Sequence, residues 1–174
     1  MSCLIISAMP GAGKTTLIDN THLKIHDSDS QQFHYLSDAQ GNYLTKDGNI
    51  VTHKDQRVPN PNFLIDYMSE IISRSKDNEI VFVSAHKEVR DLLNQSGTPW
   101  VYVAYDATIK AEVVDRIRSR KSEQPNHIIA DVVAENWDDW MDDAKTYPAP
   151  LTVFLKSGQY LSDVINEIID WHNR

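Results

Sequence analysis

The chain has 174 residues, of which 41% are hydrophobic and 24% are charged, as in ordinary globular proteins. Its formal net charge of −8 disfavours broad binding to nucleic-acid phosphates, although a local basic groove stays possible. The single cysteine, Cys3, excludes an intrachain disulfide, and no run of about 18 apolar residues is present to span a membrane. We therefore expect one domain over residues 1–174, in the cytoplasm and without membrane contact.

Short apolar runs alternate with helical patterns, which predicts an α/β fold with three layers and a five-stranded, mainly parallel sheet. The strands are predicted at 3–8, 22–27, 79–85, 100–106 and 151–156. The helices are predicted at 13–20, 62–75, 86–95, 108–121, 128–145 and 160–173. Two segments interrupt this alternation. Gly-Asn and Asp-Gly pairs predict an inserted β-hairpin within 36–62, and residues at about 116–127 predict a lid.

A phosphate-binding loop follows the first strand and opens the first helix, which is the context that a P-loop requires. Small side chains there let backbone N–H groups point at an anion, and the helix start adds its positive dipole end. We expect Lys14 to contact the β and γ phosphates of ATP and the Thr15 hydroxyl to bind Mg²⁺. The residues predicted to bind ATP are Pro10, Gly11, Ala12, Gly13, Lys14, Thr15 and Thr16.

Ala8 occupies the position where the usual P-loop pattern has its first glycine. The chain is still extended at this point, so a small side chain is expected to fit. The departure therefore leaves the prediction of a P-loop NTPase fold unchanged.

Asp27 and Asp29 follow the second predicted strand in "HDSDSQQF". In a parallel sheet, this strand is expected to be adjacent to the P-loop strand, with its carboxyl end facing the γ-phosphate, where an acid either accepts a hydroxyl proton or binds Mg²⁺. Both residues are catalytic candidates, with Asp29 favoured as the base and as a metal ligand. The alternative is a solvated turn rich in Asp and Ser.

The third strand ends in Ser84, where a hydrolysing P-loop ATPase carries an acid that orders magnesium. This argues against a motor or an ATPase and favours a kinase. Four residues near this strand end are predicted to bind the acceptor: Ser84, His86, Lys87 and Arg90. The alternative is a helix N-cap at Ser84 with a solvated helix face behind it.

Two further groups of basic residues are candidates. Arg116 and Arg120 lie four apart before the predicted lid, a spacing that suits delivery of guanidinium groups to a transferring phosphoryl group. Arg57 in the 36–62 insertion is predicted to grip a phosphate or base edge of the acceptor. The alternatives are a solvated basic helix face and a surface hairpin without a ligand.

The order of these motifs resembles a family of small phage-encoded P-loop kinases related to polynucleotide-kinase-like and nucleotide-kinase-like enzymes. The resemblance is carried by "PGAGKTT", "DSDSxxF", "NPNF", "VSAHKEVRDLL", the arginine-bearing lid and "NWDDW". The family includes the 5-hydroxymethyluracil DNA kinases, which phosphorylate the hydroxymethyl group of this base in phage DNA. The resemblance implies that ATP binds at the P-loop, that the Asp pair acts as base or metal ligand, and that the lid arginines hold phosphate groups. It also implies that the protein works in the cytoplasm of a host cell.

The sequence leaves three functions to compare. The first is transfer of the γ-phosphate of ATP to a modified base in DNA. The second is a kinase of free nucleosides or nucleoside monophosphates. The third is a nucleotide-binding switch without transfer, against which the acid-free third strand and the Asp pair both argue.

Overall fold

The structure is a computed structural model that describes residues 2–120 and 126–174, so residues 121–125 of the predicted lid lie outside the described residues. Five strands form one sheet in the order β2-β3-β1-β4-β5, and every neighbouring pair in it is parallel. The strands are β1 (Leu4–Ala8), β2 (Ile25–Asp27), β3 (Ile80–Val83), β4 (Trp100–Tyr105) and β5 (Leu151–Leu155). The predicted α/β fold with a five-stranded parallel sheet is confirmed.

In the described residues, seven α-helices flank the sheet, and six of them lie at predicted positions. They are α1 (Lys14–Asp19), α2 (Gln31–His34), α3 (Phe63–Arg74), α4 (Lys87–Ser96), α5 (Lys110–Arg118), α6 (Asn126–Thr146) and α7 (Leu161–His172). The short helix α2 was not predicted. No helix in the described part of the chain is long and apolar enough to cross a membrane.

The burial of the strands explains their sequences. All residues of β1, β3 and β4 are buried, so these strands are almost continuous apolar runs. The outermost strand β2 is only half-buried, which accounts for the polar residues within "HLKIHD". It is also shorter than predicted, because pairing with β3 begins only at Ile25.

The strand order determines where a ligand binds. β1 lies in the centre, and its neighbours are β3 and β4, not β2 as expected. The connection after β1 leads to β2 on one side, whereas the connection after β3 leads to β4 on the other, so the direction reverses at a point between β1 and β3. In open parallel sheets, such a point opens a crevice outside the carboxyl ends of the strands. The loop after β1 and the polar segments after β2 and β3 meet at this edge.

Tyr67 of α3 joins the carboxyl ends of β2 and β3. Its side chain is fully buried, and its hydroxyl donates to the Ser28 carbonyl oxygen at 2.7 Å and accepts from the Ser84 backbone N–H at 3.0 Å. A single phenol thus fixes the spacing of the two segments that carry the predicted Asp pair and the predicted acceptor residues.

We expect Tyr67→Phe to lower the free energy of unfolding by about 2–4 kcal/mol, because the buried Ser28 carbonyl and the partly buried Ser84 N–H both lose their partner. Chemical denaturation monitored by circular dichroism measures this loss. Tyr43→Phe is the matched control, since no hydrogen bond of the Tyr43 hydroxyl joins it to any of residues 2–120 and 126–174. A loss below about 0.5 kcal/mol would show that the phenol bridge is dispensable.

The inserted segment forms two consecutive antiparallel turns and no extended hairpin. Isolated bridges pair Ser37 with Tyr43 and Leu44 with Ile50, and the turns contain Gly41 and Gly48, which both have positive φ. The two turn signals lie only seven residues apart in the sequence, which leaves too few residues between them for a longer ladder. A third isolated bridge, between Tyr35 and Pro59, joins the two ends of the segment.

Candidate functional site

The loop between β1 and α1 has the geometry of a phosphate cradle. Gly11 and Gly13 have φ values of 82° and 90°, in the left-handed region that favours glycine. A Cβ on Gly11 would lie 3.1 Å from Ile117 Cγ1 and 3.2 Å from the Tyr105 hydroxyl, and one on Gly13 would lie 3.0 Å from the Tyr160 ring. Both the backbone conformation and the packing therefore require glycine at these two positions.

Neighbouring elements hold the loop in place from outside. The Tyr105 hydroxyl donates to the Pro10 carbonyl oxygen at 2.7 Å, and the Leu161 N–H donates to the Ala12 carbonyl oxygen at 2.9 Å. These contacts use carbonyl groups, so backbone N–H groups of the loop are left for an anion. The cradle is thus formed before any ligand binds.

Ala8 is buried as the last residue of β1, where the chain is extended and pairs with Val103 of β4. Its methyl group lies within the sheet and not in the loop. The presence of Ala8 in place of the first glycine therefore does not disturb the cradle.

Lys14 and Asp27 form an ion pair at the centre of the site. Lys14 Nζ donates to Asp27 Oδ1 at 3.0 Å, and both side chains are half-buried. Asp29 is exposed, and its Oδ1 accepts from the Gln31 N–H at 2.9 Å, at the start of α2. The structure thus brings both carboxylates to the edge of the P-loop, with Asp27 the nearer to Lys14.

A cavity of about 1950 Å³ covers this edge of the sheet. It exceeds the roughly 300–1,000 Å³ of a typical single-ligand pocket, so it offers room for two substrates. Every predicted site residue lies along its wall, including Thr15, Thr16, Ser84, His86, Arg116 and Arg120.

Three basic residues predicted to bind the acceptor line the cavity, and they differ in burial and in their carboxylate partners. Lys87 is exposed and pairs with Asp91 at 2.8 Å, while Arg90 is buried and pairs with Asp143 at 2.7 Å. Arg57 has no carboxylate partner among residues 2–120 and 126–174, and its guanidinium lies 4.2 Å from the centroid of the Tyr43 ring. Arg57 is therefore the cation best placed to attract an anionic group.

Aromatic side chains line the cavity between Arg57 and the end of β3. His34 stacks on Phe63 with ring centroids 4.1 Å apart, and His86 meets His34 edge-on at 5.2 Å. His86 Nδ1 lies 2.9 Å from Ser84 Oγ, so Ser84 supports His86 and does not cap α4. Burial, together with the neighbouring His86, lowers the pKa of His34, which favours the neutral ring.

His34 was missed by the sequence analysis because it belongs to the unpredicted helix α2. Glu112 and Tyr160 were missed as well, although both line the cavity. Neither is part of a recognisable motif. Their roles depend on contacts between segments far apart in the chain.

Glu112 of α5 binds the turn that precedes α7. Its Oε1 accepts from the Gly158 N–H at 2.8 Å and from the Arg116 guanidinium, and its Oε2 accepts from the Ser157 hydroxyl at 2.7 Å. These hydrogen bonds, that of Gly158 first, lower the pKa of Glu112 to about 2. The carboxylate is therefore ionised at any physiological pH.

Arg116 continues this connection to the P-loop. Its Nη1 donates to the Gln159 carbonyl oxygen at 2.9 Å, and its guanidinium lies 4.1 Å from the centroid of the Tyr160 ring, which packs against Gly13. In this structure Arg116 is thus fixed beside the nucleotide cradle, while its role as a phosphate clamp stays a prediction. Arg120 lies on the same cavity wall.

Glu112→Gln gives a pH-dependent test of this connection. A folded-state pKa below the ordinary value means that the carboxylate stabilises the fold above about pH 4.5, and that this stabilisation is lost as the pH falls towards 2. We expect the melting temperature of the variant to lie below that of the native protein at pH 7, with a difference that shrinks between about pH 4.5 and 2. Thermal unfolding across this range measures it, with exposed Glu135→Gln as the control. A difference that does not change with pH would contradict this account.

Fold and loop together define a P-loop NTPase-like α/β protein. No protein-family model matches the chain, and no curated protein matches it in sequence.

Two solved structures are similar over almost the whole chain. One is the shikimate kinase from Bacteroides thetaiotaomicron, with 12% identity, a TM-score of 0.52 and 99% of each chain covered. The other is an uncharacterized protein from Eubacterium ventriosum, with 11% identity, a TM-score of 0.52 and 100% of each chain covered. At this level of identity the likeness shows the fold, in which nucleotide-dependent kinases occur.

Proposed function

We propose that this protein is an ATP-dependent phosphotransferase that moves the γ-phosphate to a hydroxyl group of a nucleotide acceptor. The observation that carries the proposal is the Lys14–Asp27 pair beside a preformed glycine cradle, at the edge of a cavity with room for two substrates. A phosphoryl-transfer site needs positioned charges around the γ-phosphate more than it needs covalent chemistry. Lys14, Asp27 and Asp29 meet that need here.

The residues present fit ATP and Mg²⁺. Gly11 and Gly13 pack against neighbouring side chains, and the contacts that hold the loop from outside use its carbonyl groups, which leaves backbone N–H groups for phosphate oxygens. Among the described residues, no cluster of three or more His, Cys, Asp or Glu forms a protein-only metal cage. Magnesium is commonly bound by one or two protein oxygens together with substrate phosphates, and Thr15 with Asp27 or Asp29 would provide those oxygens. When bound, the ion neutralises charge on the transferring phosphate.

Asp29 is the proposed proton acceptor. Asp27 is engaged by Lys14, whereas Asp29, two residues further along the chain, is exposed at the cavity wall. In the proposed step, the acceptor hydroxyl attacks the γ-phosphorus, the bond to the β–γ bridging oxygen breaks, and the hydroxyl proton passes to Asp29. ADP leaves with the electron pair of the broken bond.

The proposed acceptor is a hydroxymethyl group on a base, as in 5-hydroxymethyluracil in phage DNA, which the family resemblance implies. Arg57 supports both a free nucleotide and DNA as the acceptor. A guanidinium without a carboxylate partner among the described residues can bind a nucleotide phosphate or a DNA phosphodiester. The net charge of −8 favours a free nucleotide over duplex DNA. Both acceptors therefore belong in the test.

The experiment is incubation with γ-labelled ATP and Mg²⁺ and four acceptors: plain DNA, DNA with 5-hydroxymethyluracil, nucleosides, and nucleoside monophosphates. Label on the hydroxymethylated DNA alone supports the modified base in DNA. Label on free nucleotides alone rejects the DNA acceptor and keeps the kinase. ATP binding without transfer to any acceptor would identify a nucleotide switch instead.

A further inference from the structure

A recess in the cavity wall lies around Arg90 of α4, beyond the P-loop. Arg90, Tyr102, Trp140 and Asp143 all line the cavity, and we call this group of side chains the Arg90 recess. Arg90 is only 4% exposed, which is rare for arginine. Its guanidinium lies between two rings, 4.5 Å from the centroid of Tyr102 and 4.1 Å from that of Tyr147. The side chain is thus held rigidly.

One guanidinium nitrogen of Arg90 has no hydrogen-bond partner in the part of the chain that the structure describes. Nε donates to the Ala85 carbonyl oxygen at 3.0 Å, and Nη2 donates to Asp143 Oδ2 at 2.7 Å. Nη1 is buried and has no hydrogen-bond partner among the described residues. An unpaired buried donor is costly and rare, so its presence at a cavity wall indicates that a ligand supplies the missing acceptor.

The charge of the recess selects the kind of ligand. The Asp143 carboxylate compensates the Arg90 guanidinium, whereas Arg57 on the other part of the acceptor side has no such carboxylate among the described residues. A compensated guanidinium favours a neutral oxygen over a second anion. Asp143 is partly exposed, with 34% of its side chain accessible, and its Oδ1 has no hydrogen-bond partner among the described residues. The recess thus combines a donor with a neighbouring acceptor.

We propose that Arg90 and Asp143 determine specificity for a ring edge on which a carbonyl group adjoins an N–H, as in an imide or a lactam. Arg90 Nη1 donates to the carbonyl oxygen, and Asp143 Oδ1 accepts from the ring N–H. A ring with the reverse pattern has an amino group beside an unprotonated nitrogen. Its amino group would face the Arg90 donor, and the lone pair of its nitrogen would face the Asp143 carboxylate, so neither hydrogen bond could form. This assignment rests on the proposed function, because it concerns the base of the phosphorylated acceptor.

The wall next to the recess suits the flat face of such a ring. Trp140 of α6 lines the same cavity and lies three residues, about one helical turn, before Asp143. An apolar wall beside one donor–acceptor pair is the usual composition of a site that binds a heterocycle.

The test compares two acceptors that differ in this edge. The monophosphates of 5-hydroxymethyl-deoxyuridine and 5-hydroxymethyl-deoxycytidine share the sugar, the phosphate and the hydroxymethyl group, but only the uridine has the N–H beside a carbonyl. Calorimetry with Mg²⁺ and a non-hydrolysable ATP analogue measures both dissociation constants. We expect the uridine form to bind at least about tenfold more tightly.

Asp143→Asn replaces the accepting oxygen by a group that also donates, and we expect the preference for uridine to fall by about tenfold. Asp142→Asn is the matched control, because Asp142 is the neighbouring residue, is exposed and pairs with Lys145 at 3.1 Å. The control should keep the preference. If Asp143→Asn fails to fold, the comparison on the native protein decides alone.

Equal affinities, a preference for the cytidine form, or binding of neither nucleotide would overturn the assignment. Because binding is measured without transfer, the outcome is separate from that of the proposed function. A protein that prefers the uridine form but transfers no label contradicts the kinase and retains the recess as a recognition site. Transfer of label together with equal affinity for the two nucleotides would support the kinase and contradict the recess as a recognition site.

Discussion

Lys14→Ala is expected to lower phosphoryl transfer by about two to three orders of magnitude, the usual effect of removing a preorganised charge at a reacting centre. Lys14 is the cation at the start of α1 directly behind the glycine cradle, and it already lies 3.0 Å from Asp27. The fold should persist, because a half-exposed ion pair contributes only about 0–1 kcal/mol to the free energy of unfolding. Initial rates with labelled ATP measure the effect on transfer.

The matched control for this variant is Lys24→Ala, which removes an exposed lysine just before β2. It should leave both the rate and the melting temperature unchanged. Native activity in Lys14→Ala would contradict a role of the nucleotide cradle in phosphoryl transfer.

Replacing the two aspartates one at a time is expected to separate their roles. Asp29→Asn should lower kcat by about two to four orders of magnitude, the range typical of general base catalysis, with little change in the affinity for ATP. Asp27→Asn should weaken the binding of Mg²⁺ and ATP, because it removes the carboxylate that contacts Lys14. The physical basis is the difference in environment, since one carboxylate faces the P-loop lysine and the other is exposed at the cavity wall.

Steady-state rates and ATP titrations on both variants measure this difference, with Asp66→Asn on α3 as a control away from the cavity. Reversed effects would make Asp27 the base. Equal small effects on both would contradict base catalysis by this pair.

The parts of the site that lie within short stretches of sequence were predictable. The P-loop is one continuous run in which strand, glycines and helix start all appear together, so its residues follow from local chemistry. Asp27 was placed near Lys14 because parallel strands end at the same edge of a sheet. Neither inference needs a side-chain contact between distant segments.

The parts that were not predictable depend on such contacts. The pair between Arg90 and Asp143 joins residues 53 apart, and the hydrogen bond from Gly158 to Glu112 joins residues 46 apart. Periodicity identifies the helices but not which of their polar residues meet. The hairpin in the insertion was overestimated for a related reason, because turn signals do not reveal how much ladder forms between them.

The central claim is that this cavity transfers phosphate to an acceptor and does not merely hydrolyse or hold ATP. The most direct measurement follows the label from γ-labelled ATP and compares its amount in the hydroxymethylated acceptor with its amount in free phosphate. We predict that label accumulates on the acceptor hydroxyl in the native protein, and that this accumulation disappears in Lys14→Ala and in Asp29→Asn. Label that appears only as free phosphate, or that stays in ATP, would contradict the account.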